Sequence, residues 1–211
     1  MIVLAGTIGA GKSSLTALLA EHFQSTAFYE PVEENEVLPL FYENPEKYAF
    51  LLQIYFLNKR FASIKEARKG ENNVLDRSIY EDSLLFHLNA DLGRTTKTEV
   101  AVYDELLANM LEELPLATYQ KRPDLLVHIK VSLDTMLSRI KQRGRSYEQI
   151  EQDPSLYAYY EELNRRYDQW FNTYDASPKL QIDGDKLDFI TDQTARELVI
   201  KMIEEKLNCI S

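Results

Sequence analysis

The chain opens on an uninterrupted apolar run, Met1-Ile2-Val3-Leu4-Ala5. A short run of this kind, broken by a glycine-rich turn, predicts a buried strand. From residue 13 to 23 the pattern changes, and Leu15, Leu18, Leu19 and Phe23 recur on one helical stripe. The alternation continues. Residues 25–29 predict a second strand that ends at Glu30-Pro31. A long helix is predicted over 45–69, with Tyr48, Leu51, Leu52, Tyr55, Phe56 and Phe61 as apolar positions and Gly70 closing it. Asn73-Val74-Leu75 predicts a third strand ending at Asp76, and helices follow at about 79–89 and 97–114. Residues 125–131 are strongly apolar and predict a fourth strand. Ser132 then caps a helix running to about Arg143, with Asp134 in its first turn. Residues 154–174 predict a tyrosine-rich helix, 179–182 a short fifth strand, and 189–208 a final amphipathic helix.

Strands that alternate with helices predict an α/β fold, a five-stranded parallel sheet covered by helices on both faces. No repeat, low-complexity stretch or linker interrupts the 211 residues, so one domain over 1–211 is expected. In such sheets functional groups gather at the carboxyl ends of the strands. Here those ends carry the glycine-rich turn, Glu30, and Asp76-Arg77.

Composition narrows the partners. Hydrophobic residues make up 45% and charged residues 27%, ordinary for a globular chain. No apolar stretch approaches the ~20 residues that cross a bilayer, and the first run lacks the basic flank of a signal peptide. A cytoplasmic protein without a membrane partner is expected. The net charge of −10 disfavours a nucleic-acid polymer as partner. The single cysteine, Cys209, permits no intramolecular disulfide. The histidines at 22, 87 and 128 show no metal-ligand spacing.

The turn itself reads Gly6-Thr7-Ile8-Gly9-Ala10-Gly11-Lys12-Ser13, followed by Ser14. Between a strand and a helix start, this G-x-x-x-x-G-K-[ST] pattern is a phosphate-binding loop. Its glycines let backbone N–H groups turn toward phosphate oxygens, and the helix N-terminus adds its dipole. Gly6, Thr7, Gly9, Ala10, Gly11, Lys12, Ser13 and Ser14 are therefore candidate ATP-binding residues. Lys12 can reach the β- and γ-phosphates, and Ser13 can ligate Mg²⁺. The loop alone leaves the acceptor of the phosphate open.

Three groups bear on the acceptor. Glu30 is either a carboxylate at a strand-to-loop turn or a general base for an acceptor hydroxyl. Asp76 can support Mg²⁺ through water, and Arg77 can hold a phosphate or the reacting hydroxyl; the alternative is an ion pair at a sheet edge. Arg139 and Arg143 are i, i+4 neighbours, and Gly144 throws Arg145 into a loop. They are either a solvated basic helix end or a lid, about 143–152, that neutralises charge on a transferring phosphoryl group.

Together these motifs resemble the deoxyribonucleoside kinase family over roughly residues 1–170. The family's Glu-Pro-Val signature stands at Glu30-Pro31-Val32, its [Glu/Asp]-Arg-Ser motif at Asp76-Arg77-Ser78, and its arginine-rich lid at Arg139 through Glu148. Tyr42-Glu43-Asn44-Pro45 precedes Gln53 by the family's spacing, and Arg60 lies seven residues beyond Gln53. The resemblance implies a three-layer P-loop kinase fold and a homodimer formed through the helices near 79–89 and 97–114. The stripe Val100, Tyr103, Leu107, Met110, Leu111 and Leu114 would then serve core and interface together.

The resemblance also implies roles. Glu30 resembles the base that deprotonates the 5′-hydroxyl, and Arg77 the arginine that holds it. Tyr42 and Glu148 resemble the pair that binds the 3′-hydroxyl. Gln53 resembles the residue on the nucleobase edge, Asp76 the acidic residue near metal and lid. Arg60 and Asp82 resemble a pair found in relatives that act on deoxycytidine, deoxyguanosine and deoxyadenosine but not thymidine. The run from Glu30 to Asn35, with Gln53-Ile54-Tyr55, looks most like the bacterial branch that acts on deoxyadenosine. Deoxyguanosine and deoxycytidine are further candidate acceptors. A tryptophan common in animal relatives is replaced here by Asn35. Two rivals remain at this point: a nucleoside monophosphate kinase, and a GTPase-like nucleotide-binding module, although the guanine-specifying Asn-Lys-x-Asp motif is absent.

Overall fold

Alternation along the first strand divides the core in two. Ile2 and Leu4 point into one cluster, completed by Leu15 and Leu19, Val127, Tyr160, Val199 and Ile203. Val3 points the other way, toward Leu57, Ile64, Leu75, Phe86 and Tyr103. A strand buried on both faces requires helices on both sides. The computed structural model, which describes residues 1–113 and 123–210, shows that three-layer arrangement.

Strands β1 (Ile2–Ala5), β2 (Ala27–Phe28), β3 (Val74–Asp76), β4 (Leu125–Lys130) and β5 (Lys179–Asp183) form one sheet in the order β2-β3-β1-β4-β5, every pair parallel. The register sets Leu4 beside Asp76 and Ala5 beside His128. The chain leaving β1 therefore emerges next to Asp76.

Helix ends follow local chemistry. Ahead of α3 (Pro45–Ala67), Asn44 accepts the Lys47 N–H at 3.1 Å and Pro45 occupies the first turn, where its missing N–H costs nothing. Before α4 (Ile79–Asp91), Ser78 and Glu81 form a reciprocal capping box. Helix α6 (Leu133–Arg143) starts on the Ser132 cap and stops at Gly144. The others are α1 (Lys12–His22), α5 (Lys97–Glu113), α7 (Leu156–Thr173) and α8 (Gln193–Asn208). Among the described residues no helix is long and apolar enough to cross a membrane.

Three expectations need correcting. A helix not predicted, α2 (Val37–Glu43), follows β2. Pro39 weakens the helical pattern, but it lies in the first turn, where its missing N–H is tolerated. The buried Asn35 supplies the cap, its Oδ1 accepting from Val37 N at 3.0 Å and Leu38 N at 3.2 Å. The last helix begins at Gln193, not 189, because Asp192 accepts the Thr194 N–H at 2.8 Å and the preceding residues form turns. The second strand is only two residues long. Leu114 lies outside the described residues, so the predicted stripe is seen from Val100 to Leu111, packed against the α3–α4 core.

Candidate active site

The loop between β1 and α1 takes the shape its glycines allow. Gly6 has φ 146°, and a Cβ there would lie 2.7 Å from the Ile129 carbonyl oxygen. Gly11 has φ 99°, and a Cβ there would meet the Phe189 ring at 3.2 Å. No side chain caps α1, which keeps its N-terminus available to an anion. Lys12 Nζ lies over the loop, donating to the carbonyls of Gly6 (2.8 Å) and Thr7 (2.9 Å). Burial and the nearby Arg77 lower Lys12 to about 8, against the pull of Asp76, Glu81 and Glu30. A bound polyphosphate would restore its full charge.

Ser13 Oγ donates to Asp76 Oδ2. The other oxygen, Asp76 Oδ1, is buried without a hydrogen-bond partner among the described residues. A hydroxyl and a carboxylate oxygen side by side, one of them unsatisfied, fit a hard divalent cation and its water shell. Ser13 and Asp76 are the residues that would hold Mg²⁺.

At the ends of β2 and β3 lies a buried ionic cluster. Glu30 Oε1 meets Arg60 Nη2 at 2.9 Å and Arg77 Nε at 3.0 Å. Burial pushes the Glu30 carboxyl up, but Arg77, Arg60 and Lys12 outweigh it and hold it at about 2. Arg60 also donates Nε to Asp82 Oδ2 at 2.7 Å. Burial pushes Asp82 up to about 6, with Arg60 opposing. Asp82 Oδ1 has no hydrogen-bond partner among the described residues. Arg77 adopts φ 82°, uncommon for a residue with a side chain, and such strain persists where surroundings over-determine it.

The Glu30 shift has a consequence for acid stability. A carboxyl whose folded value lies below its ordinary 4.5 contributes stability above that value and loses it as pH falls toward about 2. The pH-dependent part is on the order of 3 kcal/mol. Denaturant midpoints measured from pH 6 to pH 3 should fall more steeply for the wild type than for Glu30→Gln. Parallel curves would show that the pair is not formed.

Among the described residues an open cleft of about 990 Å³ runs from the loop to α2 and α3. It is lined by Gly9, Gly11, Lys12, Ser13, Ser14, Glu30, Tyr42, Gln53, Asp76, Arg77, Arg139, Arg143, Arg145 and Glu148, all singled out in the sequence. Gly6, Thr7 and Ala10 are buried in the loop or behind it. Arg60 and Asp82 are 5% and 0% exposed and are not on the cleft surface. The end near α2 and α3 is apolar, with Leu38, Phe41, Leu52 and Phe56 around Gln53. Gln53 Oε1 is buried there without a partner among the described residues. Phe189, which packs on Gly11, and Ile190 and Thr191 on the cleft wall were not anticipated; no motif marks them.

The lid arginines are differently engaged. Arg139 donates to the carbonyls of Ala10 (3.1 Å) and Gly184 (2.9 Å), fastening the phosphate loop to the turn after β5. Arg143 bonds Glu148, and Arg145 lies 3.6 Å from the same carboxylate. Glu148 sits in a 3₁₀ turn, Ser146–Glu148, and its carbonyl accepts from Tyr160 Oη at 3.0 Å. The Tyr147 ring packs on Tyr42, centroids 5.2 Å apart, so the lid contacts α2.

One buried residue was overlooked in the sequence. Glu81 is fully buried and accepts from Gly6 N (3.1 Å), Ser78 N (2.7 Å) and Tyr167 Oη (2.9 Å). Its signal was legible: Ser78-x-x-Glu81 before an apolar run is a capping box. His128 is 1% exposed, lowered to about 4 by burial, and stacked on Phe171, a core role.

Comparison with known proteins agrees with this geometry. The family model described as deoxynucleoside kinase matches residues 2–208. The chain is 59% identical over 207 residues to the deoxyguanosine kinase of Lactobacillus johnsonii, covering 98% of this chain and 92% of that one. It is 55% identical to the deoxyadenosine kinase of Lactobacillus acidophilus, covering 98% and 96%. A solved structure of deoxyadenosine kinase from M. mycoides with bound dATP superposes with a TM-score of 0.79 at 32% identity, covering 96% of this chain and 98% of that one. With a phosphate loop, a carboxylate–arginine cluster and an arginine-bearing lid around one cleft, and a family match over nearly its whole length, this chain belongs to the deoxynucleoside kinase family.

Proposed function

We propose that the protein transfers the γ-phosphate of ATP, as its Mg²⁺ complex, to the 5′-hydroxyl of a purine deoxynucleoside, deoxyadenosine or deoxyguanosine. The observation that carries this is the division of one cleft into two halves with Glu30 and Arg77 between them. The loop half gathers Lys12, Ser13, Arg139 and Arg143. Among the described residues, α2 and α3 line the cleft with Leu38, Phe41, Tyr42, Leu52, Gln53 and Phe56 and contribute no Lys or Arg, and the Gln53 amide oxygen is unsatisfied. An uncharged acceptor with a hydrogen-bonding base suits it.

In this arrangement Glu30 accepts a hydrogen bond from the 5′-hydroxyl and aims the oxygen at the γ-phosphorus, while Arg77 and Arg60 keep the carboxylate charged. A carboxylate held at about 2 is a weak base. It takes the proton late, as the forming O–P bond acidifies the alcohol, which suits a loose phosphoryl transition state governed by positioning and charge. Mg²⁺, which Ser13 and Asp76 would hold, would supply charge neutralisation to the polyphosphate. Lys12 and the lid arginines add positive charge there, Arg143 and Arg145 after parting from Glu148. Tyr42 and Glu148 take the 3′-hydroxyl.

Initial rates with the four deoxynucleosides test this reading. Turnover is expected with deoxyadenosine or deoxyguanosine, with deoxycytidine weaker and thymidine least. A nucleoside monophosphate kinase would need cations at the acceptor end, so turnover with dAMP alone would refute the proposal. We also place the protein in the cytosol and infer a homodimer through α4 and α5, where Leu92, just beyond the end of α4, and Val102 on α5 are 44% and 48% exposed. Sedimentation should give twice the chain mass, and a single-chain mass would exclude the dimer.

A further inference from the structure

The residues assigned to chemistry line the cleft, but what fixes Arg77 in its left-handed conformation lies behind it. Two side chains meet its guanidinium away from Glu30. Tyr167 Oη accepts from Arg77 Nη1 at 2.5 Å, and Glu81 Oε1 lies 3.4 Å from the same nitrogen. Tyr167 in turn donates to Glu81 Oε1 at 2.9 Å. That same carboxylate oxygen accepts the N–H of Gly6, the first residue of the phosphate loop, at 3.1 Å. Its other oxygen accepts from Ser78 N at 2.7 Å, which anchors the start of α4. Glu81 and Tyr167 are 0% and 1% exposed, and neither lines the cleft.

We propose that Glu81, with Tyr167, is the positioning residue that locks the acceptor-side Arg77 to the donor-side phosphate loop. The chemistry asks for a carboxylate. Three donors converge on Oε1 and a fourth reaches Oε2, and a glutamine would offer one acceptor oxygen and turn an N–H₂ toward an N–H. A buried carboxylate beside a buried guanidinium is also compensated in charge, which a neutral replacement is not. Burial pushes the Tyr167 hydroxyl well above its ordinary value, so it remains a donor at every working pH. The arrangement makes the position of Arg77 relative to the loop a single unit.

This rests on the role given to Arg77 above. The test compares Tyr167→Phe, Glu81→Gln and the double variant by steady-state kinetics with ATP and deoxyadenosine or deoxyguanosine, whichever the wild type prefers, alongside thermal melting. Misplacing Arg77 by about 1 Å should lower kcat by about 10²-fold, with both KM values within about threefold of the wild type. The double variant should be no slower than the slower single by more than about twofold, because both act through one guanidinium. Turnover per folded molecule within about twofold of wild type in Tyr167→Phe, or strictly multiplicative losses in the double, would overturn the proposal. If Glu81→Gln does not fold, Tyr167→Phe decides alone. A wild type that phosphorylates no deoxynucleoside refutes the functional reading itself, a separate outcome.

Discussion

Replacing Glu30 with glutamine is expected to lower kcat by about 10²–10⁴-fold while leaving deoxynucleoside affinity nearly unchanged. The amide keeps the shape of the side chain but lacks the charge that, on the proposed reading, orients the 5′-hydroxyl and takes its proton. The effect should fall on the chemical step, because the proposed base and sugar contacts at Gln53, Tyr42 and Glu148 are separate from Glu30. A quenched-flow single turnover, with the complex preformed, isolates that step. Turnover close to that of the wild type would remove Glu30 from the mechanism. The substitution also changes the electrostatics of a buried cluster. Arg60 and Arg77 lose one shared anion but retain Asp82 and Glu81. Breaking a buried pair costs about 3–5 kcal/mol when a charge is left alone, and less where other partners remain. Melting curves therefore belong beside the kinetics. With Glu30 at about 2, no acid limb of kcat/KM above pH 4 should belong to it.

The second large effect concerns the base. Arg60→Met combined with Asp82→Ala should raise the thymidine-to-deoxyadenosine ratio of kcat/KM by up to about 10⁴-fold. Thymine has no exocyclic amine to offer an acceptor, and among the described residues Asp82 Oδ1 is an unpartnered acceptor buried behind the cleft surface, which a base amine would satisfy if the bound base opens the wall to it. Replacing both residues matters, since Arg60→Met alone would leave the buried Asp82 carboxylate without its cation. The geometry adds a consequence that spacing alone does not suggest. Arg60 also holds Glu30 through Nη2 at 2.9 Å, so the double variant should lose absolute turnover on every acceptor while its preference shifts. Competition assays with mixed nucleosides read the ratio independently of that loss. An unchanged ratio would place selectivity elsewhere, with Gln53 and the α2 wall next in line.

The parts legible in the sequence and the parts that were not differ in a consistent way. The phosphate loop was legible because its chemistry is backbone chemistry at fixed spacing, and only glycines permit it. The five strands and most helices were legible because apolar period and capping residues act locally. Helix α2 escaped because its cap, Asn35, stands two residues ahead of Val37, and Pro39 hid the pattern. Glu81 escaped for another reason. Its capping box was visible, but nothing in the chain order indicates that Gly6 and Tyr167 would come to the same carboxylate. Arg139 shows the reverse: its place on the lid helix pointed to the phosphates, and its donors also tie Ala10 to Gly184.

By itself the sequence determined the sheet, the glycine-rich loop and most of the polar residues that line the cleft. These follow from local rules, in which a residue's neighbours along the chain decide its conformation. Only the tertiary structure decided how the charges share one another. That Glu30 lies between two arginines and is held near 2, that Arg60 serves both Asp82 and Glu30, and that Arg77 is tied through Glu81 to the phosphate loop depend on the parallel register. The register sets β1, β2 and β3 side by side and brings residues dozens of positions apart within hydrogen-bond reach. Electrostatic interaction in a buried site depends on distance and desolvation, and neither is a property of position along the chain.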